Sequence, residues 1–286
     1  MTSTINKELN ITVPKIIFII PYRERKQQKH FFTKYMDYIM EDYNKDDYEI
    51  YFSHQCDNRP FNRGGMKNIG FIAMKNKYPN DYKKITFVFN DIDTIPYKKN
   101  LLPYQTQKGI LKHFFGFEFA LGGIFSITGE DFENINGFPN MWGWSMEDNI
   151  LNKRAMENNL FIDRSIFFKI GDHNILHMMD GVNKIINKKE IVGFLNNNYN
   201  FGLNSLSAIN YNIENEYINI NYFESETKSD KQFYERHNLL EPNASKIRIS
   251  HRERNANRNI IVNQRQNHNS NNNMNRKTLN KMVRFL

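Results

Sequence analysis

Strand-like and helix-like segments alternate through the first hundred residues, and this alternation limits the folds open to the chain more than any other feature. Val13–Pro21 and Ile85–Asn90 are continuous apolar runs typical of buried strands, and Tyr48–His54 has the composition of a third strand. Gln27–Met40 and Arg63–Lys77, which separate them, carry apolar residues at helical spacing. Such alternation over short connections predicts an α/β fold, with a mostly parallel central sheet and ligands at the carboxyl ends of its strands.

The composition supports a folded chain with a large core. Of 286 residues, 40% are hydrophobic and 14% aromatic, which excludes general disorder, collagen-like and coiled-coil structures. The longest apolar run, Ile16–Pro21, is far shorter than the roughly 20 residues that span a bilayer. The polar segment Met1–Asn10 does not look like a signal peptide or anchor. Because Cys56 is the only cysteine, an intrachain disulfide is impossible and we expect a reducing, cytoplasmic location.

The positive charge lies at the C-terminal end. Residues 251–286 contain eight Lys or Arg and one Glu, so they carry +7 of the chain's +8 and leave +1 for residues 1–250. The same segment is rich in Asn and poor in core-forming residues, which is typical of disorder. We predict a single domain over 1–250 and a disordered tail over 251–286. The tail is either a solvated extension or a contact to nucleic acid or anionic membrane; the nearly neutral body does not indicate specific nucleic-acid binding.

Two aspartates follow the third strand directly. In an extended segment, Asp91 and Asp93 project to the same side, about 6–7 Å apart. Carboxylate oxygens at this spacing suit Mn²⁺ or Mg²⁺ together with a diphosphate. A surface turn is the alternative interpretation of an isolated Asp-x-Asp. Its place at the end of an apolar strand favours the functional interpretation.

The segment WGWSMED contains both tryptophans of the chain. The flat indoles of Trp142 and Trp144 can stack on the C–H face of a sugar. Glu147 and Asp148 can bind sugar hydroxyls or accept a proton from one. The alternative is a structural loop in which the two acids stabilise the start of a helix over Glu147–Asn158.

Two further features remain ambiguous on sequence alone. Gly122-Gly123, inside an apolar run, indicates either a close approach of the backbone to a ligand or a β-bulge. His177, which follows the apolar stretch Ile166–Ile170, is either structural or a metal ligand opposite Asp93.

Taken together, these segments resemble the β-1,4-galactosyltransferase family, and the central part is also similar to chondroitin-type polymerase domains. The resemblance covers roughly residues 14–207. Its most specific part is the long GG…NGF…WGW..ED block. The matching segments are FIIPYRERKQQ (18–28), FNRGGMKNIGF (61–71), FVFNDIDTIPY (87–97), FGF (115–117), LGGIFSITGEDFENINGFPNMWGWSMEDN (121–149), His177 and GLNSLS (202–207).

The resemblance implies a GT-A nucleotide-sugar-binding fold and assigns roles by position. Asp93 and His177 would bind Mn²⁺, Asp148 would be the catalytic base, and Glu147 would bind sugar hydroxyls. The residues implied for the UDP-sugar donor are Pro21, Tyr22, Arg23, Arg25, Phe61, Arg63, Asp91, Gly122, Gly123 and Trp144. A loop within 180–200 would close over the donor.

Several positions depart from the family pattern. Ala120 stands where galactosyl enzymes of the family typically carry an aromatic residue, which leaves room for an N-acetylated donor. Ser145-Met146 replaces the usual Gly-Gly and should reshape the acceptor pocket. The supporting metal ligand is open, because Asn174 and Met179 fall where different members have Met or a second His.

We therefore expect an inverting, Mn²⁺-dependent glycosyltransferase. It would move Gal, GalNAc or GlcNAc from a UDP-sugar to a hydroxyl of a glycan acceptor, with Asp148 as general base. The alternative is a non-catalytic glycan-binding or structural protein that has kept the fold. Retention of Asp91, Asp93, Glu147, Asp148 and His177 together speaks against it.

Overall fold

The computed structural model describes residues 12–178, 181, 183–187, 200–226, 229, 234–238 and 240. The strands are β1 (Ile16–Tyr22), β2 (Tyr48–Gln55), β3 (Thr86–Asn90), β4 (Thr94–Pro96), β5 (Ile110–Gly116), β6 (Ile124–Thr128), β7 (Phe161–Asp163), β8 (Phe168–Lys169), β9 (Ile175–His177), β10 (Asn183–Asn187), β11 (Ser207–Glu214), β12 (Tyr217–Glu224) and β13 (Tyr234–Asn238). The helices are α1 (Lys26–Ile39), α2 (Arg63–Lys77), α3 (Gly129–Asn134) and α4 (Glu147–Glu157). No helix in the described ranges is long and apolar enough to cross a membrane.

Nine strands form the central sheet. The order is β11-β12-β2-β1-β3-β6-β5-β7, and β8 also pairs with β5. The pairs β1–β2, β1–β3, β12–β2, β5–β7 and β5–β8 are parallel, whereas β6 runs antiparallel to both of its neighbours and β11 to β12. The prediction of a mostly parallel sheet flanked by helices is confirmed. β6 lies between β3 and β5, and the Gly-Gly segment directly precedes it.

β1 is buried along its whole length because helices cover both faces of the sheet. Ile17 and Ile19 pack in one core cluster with residues of α2, while Phe18 and Ile20 pack in the other with residues of α1. Side chains of a strand point alternately to its two faces, so a run with apolar residues at every position fits only a central strand. This explains why the strand was identifiable from sequence.

The first five elements, and helix α4, lie within a few residues of their predicted positions. The hairpin β11–β12 was not predicted. It lies in a stretch with mixed composition, and its parallel pairing with β2 extends the sheet beyond the strands read from the sequence. The stretch 180–200 was predicted as a mobile loop, but its residues 183–187 form β10, which pairs with β13. Residues 251–286 lie outside the described residues.

Two short ribbons lie beside the sheet. In the ribbon of β4 and β9, Thr94 pairs with His177. The Met178 N–H also donates to the Asp93 carbonyl at 2.8 Å. A residue some 80 positions downstream is thereby brought next to the Asp-x-Asp segment.

Candidate active site

A cleft of about 740 Å³ opens where β1 and β3 end. Nearly all of the site residues predicted from the sequence line this one cleft. They are Pro21, Arg23, Arg25, Phe61, Arg63, Asp91, Asp93, Gly122, Gly123, Trp144, Glu147, Asp148 and His177. The position agrees with the expectation that ligands of such a sheet bind at the carboxyl ends of its strands.

Tyr22 is the one predicted donor residue that does not line the cleft. Its ring is buried and meets Phe52, His54 and Tyr217 edge-on, at centroid distances of 6.1, 5.1 and 5.8 Å. Pro21 faces the cleft, and the next residue of a strand points to the opposite face. Tyr22 therefore packs beneath the site.

The two tryptophans have different roles. Trp144 lines the cleft, and its backbone N–H donates to the Ile185 carbonyl of β10 at 2.6 Å. Trp142 is buried and stacks on Phe223 of β12 at 5.2 Å. Only Trp144 can offer its indole to a sugar. Trp142 instead fixes the unpredicted hairpin against the cleft wall.

Arg63 lies at the centre of the cleft and joins three carboxylates. It is the first residue of α2, whose N-cap Asn62 accepts a hydrogen bond from the Gly65 N–H at 2.7 Å. Its Nη2 lies 2.6 Å from Asp91 Oδ2. Its Nη1 lies 2.8 Å from Glu147 Oε1 and 2.9 Å from Asp148 Oδ1. We call Asp91, Glu147 and Asp148 the carboxylate cluster.

The members of the carboxylate cluster differ in their electrostatic environment. Burial alone would raise the pKa of Asp91, but the charges of Arg63 and Lys67 lower it below its usual value. Burial raises the pKa of Glu147, and Arg63 offsets this only in part. The Glu147 Oε2 atom has no hydrogen-bond partner among the described residues. A buried acceptor of this kind is suited to a ligand hydroxyl.

The position of Asp148 depends on a backbone hydrogen bond and on Gly122, which has no side chain and lies against its carboxylate. Its carbonyl accepts from the Leu121 N–H at 2.9 Å. A Cβ at position 122 would overlap the Asp148 carboxylate, so only glycine allows this approach. Gly123 has φ +69°, and its carbonyl accepts from the Asp91 N–H at 3.0 Å. The Gly-Gly segment thus sets the positions of Asp91 and Asp148. The predicted close approach of its backbone to a ligand stays a prediction.

His113 was not identified from the sequence, yet it supports this segment from below. Burial and the charge of Arg164 lower the pKa of His113 to about 3, so its ring is neutral at physiological pH. Arg164 Nε donates to His113 Nδ1 at 3.0 Å. The ring proton therefore resides on Nε2, which donates to the carbonyls of Phe115 at 3.1 Å and Gly122 at 3.2 Å. A lone histidine in a strand offers no sequence signal for such a role.

Asp93 and His177 form a pair that could hold a metal ion. Asp93 Oδ2 and His177 Nε2 are 3.8 Å apart, and both residues line the cleft. The Phe115 ring meets the imidazole edge-on at 5.7 Å and orients it. A carboxylate oxygen and an imidazole nitrogen are donors that Mn²⁺ accepts, so the pair fits this ion. Within the described ranges, no three His, Cys, Asp or Glu gather as a metal cluster.

Asn174 and Met179 are the two positions considered for a supporting ligand. The side-chain nitrogen of Asn174 donates to Asp172 Oδ1 at 3.0 Å. Met179 lies outside the described residues. The remaining positions around a cation in this pair would be open to diphosphate oxygens and water.

Two family models match the chain in succession. The N-terminal region of glycosyl transferase group 7 matches residues 9–106. The model described as the N-terminal domain of galactosyltransferase matches residues 113–178. Together they cover more than half of the chain and all of the site residues predicted above.

Curated relatives match the same region. Mouse β-1,4-galactosyltransferase 1 is 32% identical over 160 residues, which are 52% of this chain and 39% of that protein. The xylosylprotein 4-β-galactosyltransferase of Caenorhabditis elegans is 27% identical over 168 residues, which are 55% of this chain and 56% of that protein. The matched segments thus span less than two thirds of either relative.

Solved structures identify the fold. The catalytic domain of Drosophila β1,4-galactosyltransferase 7, in complex with xylobiose, has a TM-score of 0.57 and 20% identity, covering 76% of this chain and 96% of that one. A mutant of the Drosophila enzyme, in complex with manganese, UDP-Gal and xylobiose, gives a TM-score of 0.59 and 19% identity over the same shares. The fold is the GT-A fold. By its two family models and its relatives, the chain belongs to the β-1,4-galactosyltransferase family.

Proposed function

We propose that the protein is an inverting glycosyltransferase that moves a sugar from a UDP-sugar to a hydroxyl of a glycan acceptor. The observation that carries this proposal is the arrangement around Arg63. One guanidinium group joins Asp91, at the end of β3, to Glu147 and Asp148, at the start of α4, inside a single cleft. A donor bound there would have its diphosphate near the Asp-x-Asp segment and its sugar near the acids of α4.

Asp148 is the proposed general base. In an inverting transfer, the acceptor oxygen attacks the anomeric carbon opposite the diphosphate, while a carboxylate takes the hydroxyl proton. Asp148 suits this step because its side chain is 24% exposed to the cleft, whereas that of Glu147 is only 4% exposed. Glu147 Oε2 is a buried acceptor without a hydrogen-bond partner in the part of the chain that the structure describes, and Glu147 is therefore better placed to orient a hydroxyl.

Asp93 and His177 would hold Mn²⁺, which when bound would stabilise negative charge that develops on the leaving diphosphate. The side chains of Arg23 and Arg25 line the same cleft, and Phe61 provides an aromatic surface for the uracil ring. These residues would bind and orient the nucleotide. Trp144 would bring its indole against the donor or acceptor sugar.

Ala120 bears on which sugar the UDP donor carries. This residue lines the cleft and is nearly buried, directly before the Leu121-Gly122-Gly123 segment. A methyl side chain leaves space for an acetamido group at C2 of the sugar. We therefore include UDP-GalNAc and UDP-GlcNAc with UDP-Gal among the proposed donors.

The test is a donor screen by UDP release, with and without Mn²⁺, followed by an acceptor array. The proposal predicts Mn²⁺-dependent release from at least one UDP-sugar, increased by a productive acceptor. A folded protein that binds glycans but releases no UDP from any donor would favour the glycan-binding alternative. Release that does not change when Mn²⁺ is removed would reject the metal assignment alone.

A further inference from the structure

A second positively charged side chain, that of Lys67, lies beneath the carboxylate cluster. Lys67 lies one helical turn after Arg63 on α2, and its side chain is only 1% exposed. Its Nζ lies 3.2 Å from Asp91 Oδ1 and 4.0 Å from Asp148 Oδ1. Residues four apart lie on the same face of a helix, so α2 directs both cations at the same acids.

Lys67 has unused hydrogen-bonding capacity. Its ammonium group makes no well-oriented hydrogen bond to any described residue, although it lies 4.8 Å above the Phe138 ring. Burying a lysine without full hydrogen bonding is costly, and its neighbours Met66 and Ile69 belong to the apolar core. An apolar side chain of the same length would pack there at lower cost. The position is therefore better explained by its charge than by its packing.

The two cations differ in what they can reach. Arg63 is 18% exposed and lines the cleft, so a ligand can contact it, whereas Lys67 is covered. Both arms of Arg63 donate to the carboxylate cluster. If Arg63 turned towards a diphosphate, it would leave the partly exposed Asp91 and Asp148 and the buried Glu147 without their main counter-charge. Leaving buried charges unpaired is strongly unfavourable unless another cation is close.

We propose that Lys67 is a positioning residue for donor binding, which holds Asp91 and Asp148 in place when Arg63 turns from the carboxylate cluster to the donor's diphosphate. The proposal rests on the function proposed above. In this proposal Arg63 exchanges its contacts with the carboxylate cluster for contacts with the donor, whereas Lys67 keeps its contacts with Asp91 and Asp148. Asp148 would then lose its closest cation only when a donor is present, so that the base is released for the acceptor at that stage.

The experiment compares Lys67→Met, Lys67→Arg and the control Lys75→Met by calorimetric titration with UDP in the presence of Mn²⁺. Lys75 lies on the same helix but pairs with Glu133 near the surface. We expect Lys67→Met to weaken UDP binding by roughly tenfold or more, the range of coupling between contacting charges. Lys67→Arg, which keeps the charge, should stay within about threefold of the wild type, and Lys75→Met should be unchanged.

A second measurement separates positioning from a structural role. The free energy of unfolding of Lys67→Met, measured without UDP, should not fall below that of the wild type, because Asp91 keeps its ion pair with Arg63. In steady-state kinetics with a UDP-sugar that the wild type uses, the KM of Lys67→Met for the donor should rise by a larger factor than its kcat falls. Wild-type UDP affinity in a folded Lys67→Met protein would overturn the proposal. If both Lys67→Met and Lys67→Gln fail to fold while Lys67→Arg folds, the cation is required by the fold, which also contradicts it.

The outcomes for the function and for Lys67 are distinguishable. Turnover by the wild type, with equal UDP affinity in Lys67→Met, would reject the role of Lys67 and leave the function standing. Weaker UDP binding by Lys67→Met, without turnover of any donor by the wild type, would support the role of Lys67 and reject the transfer reaction. Absence of UDP binding by the wild type would reject both.

Discussion

Glu147 and Asp148 are adjacent in the chain and differ in their surroundings. Both lie in the first turn of α4, where the helix dipole favours negative charge. Glu147 is almost sealed from solvent, and burial raises its pKa. Asp148 is more accessible, faces the Gly122 backbone and shares Arg63. This difference in exposure, which is invisible in the sequence, supports giving the two acids separate roles.

Asp148→Asn should lower turnover by roughly 10²–10⁴-fold, the usual contribution of a positioned general base. UDP and Mn²⁺ binding should persist, because Asp148 is assigned to neither ligand. Steady-state kinetics with the best donor, together with UDP titration, would test this. The control is Asp81→Asn, at an exposed position outside the cleft, and it should change neither turnover nor UDP binding. Near-normal turnover by a well-folded Asp148→Asn protein would refute the base assignment.

Asp93→Ala and His177→Ala should each weaken Mn²⁺-dependent UDP binding. The effect should be larger for Asp93, because it supplies charge as well as a ligand atom. His173→Ala is a matched control, since this exposed histidine lies four residues before His177 and does not line the cleft. Calorimetric titration of UDP with and without Mn²⁺ measures the effect. Full metal dependence in His177→Ala would reject His177 as a ligand, and a loss in His173→Ala would then identify His173 in its place.

Ala120→Tyr should shift donor preference towards UDP-Gal. A tyrosine at this position would overlap an acetamido group at C2, and size exclusion of this kind typically contributes about 1–3 kcal/mol. UDP affinity should be unaffected. The measurement is the ratio of kcat/KM for UDP-GalNAc and UDP-GlcNAc to that for UDP-Gal, in wild type and variant. A wild-type enzyme that rejects both N-acetylated donors would show that Ala120 does not control this preference.

At the scale of elements, the local signals were sufficient for the first half of the sheet and insufficient for the rest. β1 and β3 were predictable because they are apolar at every position and therefore central. The hairpin β11–β12 was missed, although Ile218 and Ile220 are fully buried, because the polar residues of the edge strand β11 mask the alternation. The partner of β12 is β2, whose free edge is available only in the folded sheet, and the local sequence of β12 carries no information about that edge.

The same limit applies to the site. The Asp-x-Asp could be identified because it follows an apolar strand, and the acids of α4 because they follow the two tryptophans and begin a helix. The contacts of Lys67 and His113 could not, because both arise where distant elements meet. Lys67 approaches Asp91 across α2 and β3, and His113 approaches Gly122 across a register shift between β5 and β6. Helical spacing from Arg63 was the one available signal for Lys67.

Gly123→Ala tests the element that carries both aspartates. A Cβ at position 123 would overlap the Phe115 carbonyl oxygen, and the residue has φ +69°. Gly109→Ala is the matched control, because Gly109 has φ +84° but nothing within 4 Å of the added atom. Positive-φ strain alone costs on the order of 1–3 kcal/mol. Gly123→Ala should destabilise by more than Gly109→Ala in urea unfolding and should also reduce turnover. Equal losses in both variants would show that the close backbone approach is unimportant.

At the scale of the whole molecule, charge and cleft are separated along the chain. The described residues that line the cleft lie between Pro21 and Tyr234. Most of the net charge lies in residues 251–286, which carry +7 of the total +8. A net charge concentrated in one segment acts on polyanions through its own field.

Truncation after Ser250 should therefore leave UDP-sugar turnover unchanged while it lowers the salt concentration needed for elution from a heparin column. The physical reason is that fewer counterions are released when eight basic side chains are removed from the contact. A full-length variant with these eight residues changed to Gln separates charge from length, and it should elute with the truncated chain. Loss of soluble protein or of turnover in the truncated chain, but not in the Gln variant, would show that residues 251–286 pack on the domain. Unchanged heparin binding in both variants would place the polyanion contact on the nearly neutral body.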